Sequence, residues 1–328
     1  MPQNPRENST REKVAPMSRS LPSPRLSGEF KGKLALGVAM SGTAFSSVLN
    51  KFALAAGMHP IWINAFRLGF ALLLMVCFAL IRRQPLYVKM PRRELSLSVL
   101  SGLLLAAHFT CWVYALKYTD ALAAAAIWST YLFMTALGSM LLLKERIPAA
   151  AFAAMALAFA GVLVCCIGWS ATQLSGNLFA LGAALTQAGY FMCGRFVRRN
   201  VDNFSYTLVL YGASFAALMA VGFLMRLPAT GMMPSTLSAA LGLAVLCTLM
   251  GHSLANYALK TLSATTVSVG MLAEVITGPL LVFLIMGQAP GRYTLIGGAL
   301  ILIAVAWYFW IDWRRQPLRA EESVQDTL

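Results

Sequence analysis

Ten apolar blocks, each about 20 residues long and separated by short polar connections, constrain this chain more than any other feature. They cover residues 34–56, 61–81, 95–117, 121–143, 149–169, 177–197, 204–225, 238–259, 264–287 and 292–311. A helix rises ~1.5 Å per residue and a bilayer core is about 30 Å thick, so blocks of this length can cross it. In hydrocarbon the backbone must satisfy its own polar groups, which favours helices. The composition agrees: 59% of the 328 residues are hydrophobic and 12% are charged, against about 25% charged in a soluble domain. The expectation is an all-α membrane protein with ten transmembrane helices. Some connections hold only three to five residues, so consecutive helices should be antiparallel neighbours.

The net charge of +14 sits mostly between the blocks, where membrane orientation explains it better than nucleic-acid binding does. With the N-terminus in the cytosol, 21 of the 26 Lys and Arg residues fall on the inner side. Three, Lys117, Arg226 and Arg292, fall outside, and Lys51 and Arg67 lie within spans. That asymmetry predicts cytosolic N- and C-termini. Residues 1–33, polar and rich in Pro, Ser and Arg, read as a disordered cytosolic tail, and 312–328 as a second, mobile one. The six cysteines all lie in apolar blocks with no C-x-x-C pair. They read as buried thiols, and no metal or cofactor is expected.

The chain also repeats itself. Tyr114-Ala115-Leu116-Lys117 recurs as Tyr257-Ala258-Leu259-Lys260. At nearly the same offset Lys51-Phe52 answers to Arg195-Phe196, Gly32 to Gly176 and Glu145 to Gln288. Two repeats, 34–169 and 177–311, hold five blocks each, and an odd number turns the second copy over in the membrane. Inverted repeats around a midplane site are a mark of secondary transporters.

Glu274 lies near the middle of the ninth block, where a carboxylate costs about 2.5–3.5 kcal/mol and so faces a protein interior or a wet cavity. Gly270, Met271, Thr277 and Gly278 share its helix face, and Pro279 denies the Val275 carbonyl its usual donor. Comparable stripes occur elsewhere: Thr43, Ser47 and Asn50; His108 and Trp112; Trp128, Tyr131, Thr135 and Gly138; Gln187, Tyr190 and Gly194; Thr248, His252 and Asn256. Any one stripe is explained by hydrogen bonds between helices. Six spans with such stripes suggest a shared polar cavity with aromatic walls, suited to an amphipathic organic solute. Its expected lining is Arg67, Asn50, Trp112, Trp128, Tyr131, Gln187, Tyr190, His252, Asn256 and Gly278, with Glu274 carrying protons or contacting a cationic group. Tyr131 occupies the position of Glu274 in the first repeat. Arg67 reads equally as half of a structural pair or as a contact to an anionic group.

These residues taken in order resemble the two-copy EamA-type exporters of the drug/metabolite transporter superfamily. The resemblance rests on Arg67 after the Pro60 turn, Leu141-Leu142-Leu143-Lys144-Glu145-Arg146, and Gly176…Ala188…Tyr190. Asn256-Tyr257-Ala258-Leu259-Lys260 and Gly291…Leu295-Ile296…Gly298 complete it. The mid-helix prolines usual in spans 4 and 9 are replaced by Leu132 and Val275, and Gln288 stands for an acidic residue. The resemblance implies export of small organic metabolites such as amino acids across a bacterial inner membrane. An importer or substrate exchanger of the same fold is the nearest alternative, and a membrane enzyme or lipid-handling protein a more distant one. The absence of a Walker-type loop or a Ser/His/Asp set argues against ATP-driven transport and catalysis. The partners expected are a small-molecule substrate and the lipid bilayer, with no nucleic acid; a homodimer stays open.

Overall fold

The computed structural model describes residues 28–86, 90–143, 149–165, 167 and 170–325. Helices make up its regular structure: α1 (Gly28–Thr43), α2 (Ser46–Ala55), α3 (Pro60–Ile81), α4 (Arg92–Tyr118), α5 (Ala121–Trp128), α6 (Tyr131–Leu143) and α7 (Ala149–Cys165). They continue with α8 (Ala171–Val197), α9 (Asn203–Leu224), α10 (Pro234–Gly242), a π-helical segment (Leu243–His252), α11 (Ser253–Ala258), α12 (Ala264–Met271), α13 (Ala273–Met286) and α14 (Arg292–Gln325). Six stretches among the described residues are long and apolar enough to cross a membrane, with three shorter apolar helices beside them. Helix α8 spans 27 residues, but Gln173, Asn177, Gln187 and Arg195 lower its hydropathy. Residues 1–27, most of the expected N-terminal tail, lie outside the described residues.

The structure departs from uninterrupted spans in three places. The first block is divided between α1 and α2 at Ala44–Phe45, the fourth between α5 and α6 at Ser129–Thr130, and the ninth between α12 and α13 at Leu272. The fourth breaks without a proline because its hydroxyls compete for backbone acceptors. Ser129 Oγ donates to the Ala126 carbonyl at 2.6 Å and Thr130 Oγ1 to that of Ile127 at 2.7 Å. The following amides of Leu132 and Phe133 then reach back only three residues. A second departure is at the C-terminus, where α14 carries the helix on to Gln325, through most of the polar stretch expected to be mobile.

Packing pairs the two repeats element by element. Helix α4 lies along α8, α3 along α9 and α7 along α14, while α1 packs on the π segment and α11. At the centre α5 meets α13 and α6 meets α12, so the broken fourth and ninth spans cross half against half. Small residues permit the closest approaches. A Cβ on Gly32 would stand 2.4 Å from Thr261 Oγ1, and one on Gly176 2.8 Å from the Thr119 amide. These two glycines are repeat counterparts, and each seats its helix on the end of the other repeat's third span. Two cations are paired in the same way, each within its own repeat. Lys51 Nζ donates to the Leu116 carbonyl at 3.0 Å, and its counterpart Arg195 donates through Nη1 to Leu259 at 2.6 Å. Leu116 and Leu259 are equivalent positions of the repeated tetrapeptide.

Helices α7 and α14 touch through Gly161 and Gly297. A Cβ on Gly297 would lie 2.5 Å from both Cys165 Sγ and the Gly161 carbonyl oxygen. Backbone cannot yield as a side chain can, so Gly297→Leu should force the pair apart and cost about 1–3 kcal/mol. Thermal unfolding in detergent measures this. A variant as stable as the native chain would mean the two helices separate freely.

Candidate functional site

The polar residues of the repeats converge where the broken spans cross. Helix α13 begins at Ala273, so Glu274 sits in its first turn, where the exposed amides of a helix start favour negative charge. The hydroxyls of Thr43 and Ser46, at the α1–α2 break, face its carboxylate, and the Arg67 guanidinium acts on it electrostatically. Both charged residues are deeply buried, at 6% and 1% exposure. No ion pair within 4.0 Å joins them, so acid and base face one another across a gap.

Arg67 is held from its other sides. Its Nε donates to Thr248 Oγ1 at 2.7 Å in the π segment, and its guanidinium carbon lies 3.7 Å from the centre of the Phe109 ring. Stacking on an aromatic face is a favourable place for a weakly hydrated planar cation. Tyr211, on α9, reaches the same turn: its hydroxyl donates to the Thr248 carbonyl at 3.2 Å. The π geometry lets Thr248 serve both, its own hydroxyl donating to the Leu243 carbonyl five residues back at 3.2 Å.

Aromatic rings close the remainder. Trp112 and Trp128 lie 5.4 Å apart, Trp128 stacks on Tyr131 at 4.7 Å, and His252 meets the Phe109 ring edge-on at 5.0 Å. His108 Nδ1 bonds to the Ala183 carbonyl at 2.9 Å. The space left among Thr43, Ser46, Arg67, Trp112, Trp128 and Glu274 is about 10 Å³, room for a single water-sized body. A metabolite needs some 300 Å³ or more. The cavity is closed.

Of the residues expected to line a cavity, Arg67, Trp112, Trp128, His252 and Glu274 do so. Tyr131 stands behind Trp128, its hydroxyl donating to the Ser268 carbonyl at 2.5 Å. Asn50 is a turn away, giving its Nδ2 to the Ser46 carbonyl at 2.8 Å. Tyr190 and Asn256 bind each other, the tyrosine hydroxyl 2.5 Å from Oδ1, and Tyr190 borders the His252 ring. Gln187 is fully buried, and neither atom of its amide has a protein partner. Gly278 lies away from the cavity against Ser47, 3.0 Å from its Oγ to a Cβ built on the glycine.

Three cavity residues escape the sequence pattern, Ser46, Phe109 and Cys247. An unbroken first span would align Thr43, Ser47 and Asn50. Ser46, three residues after Thr43 and four before Asn50, would share that face too; in the structure it is Ser46 that borders the cavity, while Ser47 lies against Gly278. Phe109 carries no sequence signal that separates it from a core aromatic, and only the position of Arg67 marks it.

The sequence matches the EamA-like transporter family twice, over residues 30–167 and 174–310. The chain belongs to that family. Membership makes this EamA-like protein a multi-span membrane transporter of the drug/metabolite transporter superfamily, and the paired match agrees with the repeat packing. No curated protein matches the sequence. Among solved structures, one described only as the crystal structure of a protein aligns with a TM-score of 0.62 at 20% identity. The alignment covers 87% of this chain and 98% of that one, a likeness of fold alone.

Proposed function

We propose that this EamA-like protein is a secondary transporter that exports small organic metabolites, such as amino acids, in exchange for protons. Ten spans, in two inverted five-helix repeats with both termini in the cytosol of a bacterial cell, alternate access to the cavity at the crossing of the broken spans. The observation that carries the reading is a buried acid and a buried base facing one closed, water-sized space that both repeats build. Such a pair can receive the two charges of an amino acid, the carboxylate by Arg67 and the ammonium by Glu274. When the substrate leaves, Glu274 takes a proton in its place. With substrate bound, the charges of Glu274, Arg67 and the zwitterion cancel; with Glu274 protonated, the empty site carries the single positive charge of Arg67, which rests on the Phe109 ring and the Thr248 hydroxyl.

Uptake into inverted membrane vesicles tests this. Amino acids or related zwitterions should accumulate in vesicles that hold the protein and are acidified inside, and should not once the pH gradient is collapsed. Accumulation that ignores the gradient and needs counter-substrate would instead support an exchanger of the same fold.

A further inference from the structure

Two cavities meet at one end of the bundle, away from the central site. One, of about 550 Å³, is polar and is bordered by Lys51, Lys117, Arg292 and Asp120. The other, of about 420 Å³, is an apolar groove between α5, α13 and α14, walled by Leu122, Ile276, Pro279, Leu280 and Leu302. They share Asp120, Gln288 and Ala289, so a molecule can lie in both at once. Ile276 and Leu280, at least half exposed, belong to a helix that in a membrane protein would face lipid.

The charges at this mouth are unbalanced. Asp120 is committed, its Oδ1 capping the Ala123 amide at 2.8 Å and its Oδ2 accepting from Thr294 at 3.1 Å. Lys51 is committed too, to the Leu116 carbonyl. Lys117 and Arg292 lie beside the rings of Tyr118 and Tyr293, at 5.2 and 4.7 Å. Among the described residues no carboxylate comes within 4.0 Å of either cation. Cations without acid partners at a membrane boundary attract anionic headgroups.

We infer that this double cavity is a binding site for one anionic phospholipid, with its headgroup phosphate between Lys117 and Arg292 and an acyl chain in the groove beside Pro279. The continuity of the two cavities argues for a lipid, since a soluble anion would use only the polar half. The chain would lie against Val275 and Pro279, and Val275 is the residue next to Glu274. A lipid there braces the half-helix that carries the acid.

The full chain, purified in mild detergent, can be titrated with phosphatidylglycerol and with phosphatidylcholine of identical chains, bound lipid being counted by native mass spectrometry. The native protein should retain the anionic lipid roughly tenfold better or more, from about 1 kcal/mol per cation. Lys117→Ala with Arg292→Ala should level the two lipids. Leu280→Trp, which fills the groove, should weaken both. Glycerol 3-phosphate, the headgroup without chains, should not displace the lipid. Equal retention of the two lipids by the native protein would overturn the inference, and so would displacement by glycerol 3-phosphate at matched concentration. Both of those results come from the native chain, so they stand even if a variant fails to fold. The measurement involves no transport, so it is independent of the exchange of protons proposed above.

Discussion

Glu274→Gln is expected to uncouple transport from the pH gradient while leaving the fold in place. The amide nearly matches the carboxylate in shape and can still bond to the Thr43 and Ser46 hydroxyls that face this position. It cannot exchange a proton. One pH unit is worth 1.36 kcal/mol per proton, so the variant should lose about tenfold of accumulation for each unit of gradient. Substrate flux down its own gradient should fall less, because Arg67 remains. The measurement is uptake into inverted vesicles over a series of imposed gradients. A variant that accumulates substrate with the native pH dependence would end the proton role of Glu274.

Removing the two repeat-related cations should shift the transporter in opposite directions. Lys51 and Arg195 each tie a first-span helix to the third-span end of a repeat, Lys51 within its own repeat and Arg195 within the second. In an inverted arrangement these ties stand at opposite faces of the membrane. A hydrogen bond from a charged group contributes about 1.5–3 kcal/mol, which corresponds to roughly 10–100-fold in an equilibrium between open and closed mouths. Lys51→Met should widen the distance between Tyr118 and Tyr293, which border the polar cavity, and Arg195→Met that between Arg199 and Thr261. Spin-label distances between those two pairs of positions read the shift. The same pair widening in both variants would mean that the ties do not act as separate closures.

Much of this architecture is legible in the sequence because the bilayer simplifies the reading. A membrane demands long apolar helices, so the elements announce themselves, and the repeat register marks which residues are counterparts. That register pairs Lys51 with Arg195 and Gly32 with Gly176, and their contacts match in kind. The breaks are not legible in this way. Ser129 and Thr130 are ordinary residues in a transmembrane helix, and whether their hydroxyls take a carbonyl from the backbone depends on what packs around them. Around the first break Thr43 and Ser46 border the cavity, while Ser47 lies against Gly278 and Asn50 a turn away, although spacing alone puts all four on one side of the helix. Tyr190 and Asn256 show a different limit. Their spacing places each on an inward face, but only three dimensions show that they satisfy one another.

The first helix of the chain is clasped by the last third of it. Gly42 gives its carbonyl to the thiol of Cys247, 205 residues later, and Gly32 rests on Thr261. Chains are synthesised at about 5–20 residues per second, so α1 waits roughly 10–40 s in the membrane before its partner exists. During that interval the Gly32 and Gly42 surface has only lipid for company. Folding of this transporter thus closes as a ring, in which the first element to be made is among the last to be packed.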